Sequence, residues 1–92
     1  MQPNPSARPT RHPRLASRVL NGEAVLIDPD RNVVRMLNPV GSRIWELADG
    51  TRTIEQIADV LVEEFEVEPL QAHQSVAKFV DELAGKELLV QG

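Results

Sequence analysis

Apolar and polar positions alternate with a period of two in the first third of the chain and recur every three to four residues afterwards, a switch that predicts an α+β domain. Leu15 to Asn21 is expected as a first strand, with Leu15, Ser17, Val19 and Asn21 on one face and Ala16, Arg18 and Leu20 on the other. Asn21-Gly22 is a strong turn signal, because both residues tolerate positive φ. Ala24 to Asp28 returns as a second strand, and Asp28-Pro29-Asp30-Arg31-Asn32 supplies a second turn from the residues turns prefer. Val33 to Leu37 completes a three-stranded antiparallel meander. No long strand is expected downstream to cover its last edge.

Leu37 to Gly50 joins this strand-rich part to a helical part. The residue before Pro39 is pushed out of the helical region, and Pro39 suits the first turn of a helix. Val40, Ile44, Leu47 and Ala48 then recur at helical spacing beside Trp45, until Asp49-Gly50 stops the run. Trp45 is expected to brace the strands against the helices. A second helix carries Ile54, Ile57, Ala58, Leu61, Val62 and Phe65 on one face and opens on Thr53, with Gln56 placed to complete a capping box. Glu63, Glu64 and Glu66 crowd its C-terminal end, where the helix dipole disfavours them; they form a solvated acidic face or an electrostatic docking patch. Pro69 opens a last helix that Gly85 ends, and Glu87 to Val90 is a short extended tail able to pair with a strand edge. The order predicts a winged-helix-like module, a three-stranded antiparallel sheet followed by a three-helix bundle. Its expected core is Val19, Ile27, Ile44, Trp45, Leu47, Ile57, Leu61, Phe65, Val76, Phe79, Val80 and Leu83.

Composition narrows what such a module does. With 92 residues the chain makes one domain, expected over 15–92, behind a flexible Pro/Arg-rich arm over 1–14. It has no cysteine, so neither a disulfide framework nor a thiolate metal site arises. His12 and His73 lie far apart and make a poor metal set; His73 is expected to be packed or hydrogen-bonded. No apolar run approaches the roughly 20 residues that span a bilayer, and the N-terminus has no apolar signal core, so a cytoplasmic location is expected. Ser17, Ser42 and Ser75 have no nearby elbow or His–acid pair, and Glu63-Glu64 splay apart on a helix, so no catalytic residue is assigned. Gly22, Gly41 and Gly50 are isolated, which leaves no phosphate cradle and no expected cofactor.

Charge separates the two binding functions open to the fold. Residues 1–52 carry eight arginines against five acids, whereas residues 53–92 carry Lys78 and Lys86 against nine acids. A winged-helix DNA-binding protein is the alternative reading, but its last helix would present Gln71, Gln74, Asp81 and Glu82 with Lys78 as the sole cation before Lys86. The sign is wrong for nucleic acid. Peptide binding by strand addition fits better, with Val33, Arg35 and Leu37 on one side of the third strand and Val34 and Met36 on the other. About five backbone hydrogen bonds at roughly 1 kcal/mol each, less about 2–5 kcal/mol for ordering the guest, fall short of the roughly 8 kcal/mol of micromolar binding. Two or three apolar anchors, at about 1.5–3 kcal/mol each, must supply the rest from a groove between this strand and the last helix.

The run from His12 to Phe65, followed by an amphipathic helix and an LLV end, resembles the pyrroloquinoline quinone biosynthesis protein D (PqqD) family over about residues 12–90. The resemblance rests on LN at 37–38, IWELADG at 44–50 and T-x-E-Q-I at 53–57, taken together. It implies a non-catalytic chaperone that binds a ribosomally made precursor peptide (PqqA-like) beside the third strand and against the last helix. The chaperone then presents this peptide to a radical S-adenosylmethionine enzyme (PqqE-like), which cross-links a Glu and a Tyr and carries the iron–sulfur clusters. Related domains serve other peptide-modifying pathways, which is a further alternative. The implied peptide site comprises Val33, Val34, Arg35, Met36 and Leu37, with Ala72, His73, Val76, Ala77 and Val80 as the opposite wall. Arg35 is the expected charge contact with an acidic precursor. An open edge and an arm joined by turns leave a monomer and a strand-swapped homodimer both expected.

Overall fold

The computed structural model describes residues 7–90, and the expected meander and helices are all present. Strand β1 is Thr10–Arg11, β2 Ala16–Leu20, β3 Glu23–Asp28 and β4 Val33–Met36. Helices α1 (Pro39–Leu47), α2 (Ile54–Phe65) and α3 (Pro69–Gly85) follow, and β5 (Leu89–Val90) is the last element among the described residues. The β2-β3-β4 meander is antiparallel in that order, so β4 is an edge. Asn21 and Gly22 both take positive φ, at 53° and 78°, between the paired residues Leu20 and Glu23, the geometry of a two-residue hairpin loop. In the second turn Asp28 Oδ1 accepts from the N–H groups of Asp30 and Arg31, and Asn32 takes φ 55°.

Local chemistry starts each helix. Asn38 caps α1, its side chain accepting from Gly41 N–H at 2.7 Å, with Pro39 in the first turn. The capping box of α2 is complete: Gln56 N–H donates to Thr53 Oγ1 at 3.1 Å, and Thr53 N–H donates to Gln56 Oε1 at 2.9 Å. Arg43 of α1 grips Glu64 of α2 with two hydrogen bonds, at 2.7 and 2.8 Å, so one of the crowded acids ties two helices together.

The core differs from expectation on the sheet side. Ile44, Trp45, Leu47, Ile57, Leu61, Val76, Val80 and Leu83 are buried as expected and Phe79 is partly buried, whereas Val19, Ile27 and Phe65 are exposed. The strand residues that enter the core are Ala24 and Leu26, the neighbours of Ile27 in the other parity. Asp28 shares that buried parity, its carboxylate held by Arg14 Nε and Nη2 at 3.3 and 3.1 Å. A paired carboxylate thus occupies an inward position while a larger aliphatic faces out.

The expected arm over 1–14 also needs correction. Residues 1–6 lie outside the described residues, but Ala7 and Pro9 are buried, and β1 pairs antiparallel with β5. Ile54 N–H donates to Ala7 O, Gly50 N–H to Pro9 O, and His12 N–H to Leu88 O. Arg11 Nη1 caps the end of α1 by donating to Trp45 O and Glu46 O, both at 3.1 Å. Main-chain bonds and small side chains fix this segment, so no apolar period announces it. The extended tail pairs with this strand instead of with the meander, and β4 keeps its free edge.

Candidate functional site

The ladder register decides which groups of β4 are free. Leu37 N–H donates to Ala24 O at 2.9 Å, and Arg35 and Val33 stand opposite Leu26 and Asp28. Antiparallel ladders alternate bonded and non-bonded pairs, so Val33, Arg35 and Leu37 turn their backbone groups to β3. Val34 and Met36, opposite Ile27 and Val25, turn theirs to the open edge. The guest ladder expected from the whole strand therefore shrinks to the N–H and C=O of two residues.

Beside this edge runs a groove of about 390 Å³. Met36, Leu37 and Asn38 form one lip; Val40, Gly41 and Ile44 of α1 form the floor; Ser75, Lys78, Phe79 and Glu82 of α3 form the far wall. Gly41 leaves room for the wall, because a Cβ there would stand 2.9 Å from Phe79 Cε2 and the ring would have to shift. A smaller cavity of about 100 Å³ continues past Val40 and Ser75 and is lined by Leu61, Phe65, Val67, Gln71 and Ala72. The exposed Phe65 is explained here: it walls this cavity in place of filling the core.

Ser42 positions the lip relative to the floor. It is 1% exposed; its Oγ accepts from Ala24 N–H at 2.6 Å and donates to Leu37 O at 3.2 Å. One hydroxyl thereby joins α1, β3 and the end of β4. Trp45, 1% exposed, sits in the core behind this floor as expected, and its Nε1 has no acceptor among the described residues.

The expected site residues divide into two groups. Val33, Val34, Arg35, Met36 and Leu37 lie together on and just beyond β4, with Val34 and Met36 68% and 69% exposed. On α3 the expected wall residues do not line this groove. Val76 and Val80 are fully buried in the core, where a guest cannot reach them, and Ala72 borders only the smaller cavity. Ala77 is half-buried and lines neither cavity, and His73 lies 3.8 Å from Asp59 of α2. The groove face is the adjacent stripe, Gln71, Ser75, Lys78, Phe79 and Glu82. Its sequence signal was Phe79, an aromatic one position beyond the helical core stripe and flanked at helical spacing by Ser75 and Glu82. Arg35 does not line the groove; Lys78 is the cation that does.

No group of three or more His, Cys, Asp or Glu among the described residues could hold a metal ion. No helix among them is long and apolar enough to cross a membrane.

An open-edged meander packed against α1 and followed by α2 and α3, with a groove between its edge and the last helix, defines a winged-helix-like α+β domain. The coenzyme PQQ synthesis protein D (PqqD) family profile matches residues 23–89, and the chain belongs to that family. Among solved structures it is similar to TbiB1 in complex with the TbiA(beta) leader peptide, at 30% identity and a TM-score of 0.79 over 87% of this chain and 93% of that one. The fold is also that of a lasso peptide synthetase B1 complexed with its leader peptide, at 20% identity and a TM-score of 0.80 over 90% and 98% of the two chains. A PqqD truncation of Methylobacterium extorquens PqqCD, a stand-alone recognition element for ribosomally synthesized and post-translationally modified peptides, matches at 23% identity and a TM-score of 0.72 over 89% and 87%. No curated protein sequence matches significantly.

Proposed function

We propose that the protein is a non-catalytic recognition domain that binds a ribosomally made precursor peptide as an added strand on β4 and presents it to a modifying enzyme. The observation that carries this is the free edge of Val34 and Met36, whose Met36 end meets the groove beside Phe79. Four outward backbone groups contribute about 4 kcal/mol, which the ordering of the guest nearly cancels. About three apolar side chains in the groove and its extension then bring affinity to micromolar. Family membership supports the pyrroloquinoline quinone pathway, with a PqqA-like precursor and a radical S-adenosylmethionine partner that performs the Glu–Tyr cross-link. The same open edge allows a monomer or a strand-swapped homodimer, which light scattering distinguishes.

The test uses a labelled PqqA-type peptide and a lasso leader peptide as the competing probe. Amide signals of β4 and of Ser75 to Glu82 should move on titration with the first and less with the second; shifts confined to residues 1–14 would sink the site. Met36→Pro removes an outward N–H that β3 does not use. It should weaken binding at least about tenfold while circular dichroism stays native; unchanged affinity in the folded variant points elsewhere on the surface.

A further inference from the structure

Strand addition alone does not say which sequences are admitted. The N–H and C=O of Val34 and Met36 pair with a guest running in either direction, and alternate apolar side chains reach the groove in either case. Some other feature must read the guest. The wall of the groove carries two charges a helical turn apart, and they are not equivalent. Glu82 has a cation of its own, Lys86 Nζ at 3.9 Å on the next turn. Lys78 forms no ion pair among the described residues, although it stands in a segment, 53–92, with nine acids and only one other cation.

We infer that Lys78 is the specificity residue of the groove, selecting precursor peptides that place an acidic side chain next to the apolar anchor seated against Phe79. The inference rests on the peptide-binding reading and adds the chemistry of the guest. Lys78 is exposed at the groove while Phe79 and Val40 supply apolar surface beside it, so a guest whose apolar side chain is buried there brings the carboxylate of the adjacent residue alongside Lys78. A second acid one turn further along meets Glu82 and is rejected. A basic side chain at the Lys78 position is rejected as well, so a single charge both chooses the guest and sets where along the groove it stops.

A displayed library of random dodecapeptides, selected on the immobilised wild-type protein, tests this. Binders that use the groove are those lost on the folded Met36→Pro variant. Among them Asp and Glu should be enriched at one position adjacent to an apolar residue. Selection on Lys78→Glu should abolish that enrichment and favour Lys or Arg at the same position, whereas Lys78→Arg should preserve it. A selected acidic peptide should bind Lys78→Glu about tenfold more weakly at low salt, and less so as salt rises. Groove binders without acidic enrichment, or with enrichment unchanged in Lys78→Glu, overturn the role of Lys78 and leave the peptide site standing. Absence of any Met36→Pro-sensitive binder overturns the peptide site itself, and the role of Lys78 with it.

Discussion

Ser42 shows how much a single polar atom settles in this domain. Its hydroxyl satisfies Ala24 N–H and Leu37 O at the junction of β3, β4 and α1, within the core and out of reach of water. Ser42→Ala leaves a buried donor without a partner, which costs about 1–3 kcal/mol. Urea denaturation should record that loss, and peptide affinity should fall with it because the lip of the groove loses its tie. None of this was legible from the sequence, where a serine inside an amphipathic helix looks like an ordinary solvent-facing residue. The bond joins positions 18 apart, and only the fold brings them together. Asp28 was opaque for a related reason: a carboxylate reads as a turn residue until Arg14 is seen to neutralise it.

The elements differ in how far local signals determine them. The start of α2 was visible because its two capping bonds lie within Thr53 and Gln56, and both form. Thr53→Ala removes the hydroxyl half of that box, at about 1 kcal/mol. For a domain of this size the expected fall in Tm is about 4–8 °C, measured by thermal unfolding followed by circular dichroism. Strands carried less information. Their turns were clear from Asn21-Gly22 and Asp28-Pro29, yet the buried face went to Ala24 and Leu26 because the helices pack there, while Ile27 stayed 44% exposed. Val76, Val80 and Leu83 of α3 were found correctly as core, whereas Phe79 is only partly buried. The groove lies on the stripe beside them, where polar residues surround Phe79 and the apolar period is weakest.

At the scale of the whole molecule, charge closes what the hydrophobic pattern leaves open. Arg14 joins Asp28 to Glu87 O at 2.9 Å, and Arg31 joins Lys86 O at 2.6 Å to the Glu87 carboxylate at 2.9 Å. The N-terminal segment, the β3–β4 turn and the C-terminal tail therefore meet at one ionic cluster centred on the Asp28 carboxylate. The hydrogen bond from the Arg14 guanidinium holds that carboxyl below its ordinary value, against the opposing effect of its burial. The Arg43 guanidinium does the same for Glu64. A carboxylate with a depressed folded-state pKa stabilises the fold above its ordinary value of about 4, and that stabilisation is lost as pH falls through the lower, folded value. Asp28→Asn should consequently be less stable than wild type at neutral pH, and the difference between the two should shrink below about pH 4 as the wild-type carboxylate takes up its proton. Urea midpoints collected from pH 7 down to pH 2 give the difference directly. A gap that stays constant across that range would mean that Asp28 acts through the neutral hydrogen bonds of its turn. A gap that closes would show that the charge it shares with Arg14 and Arg31 holds the two ends of the chain against the turn that leads into β4.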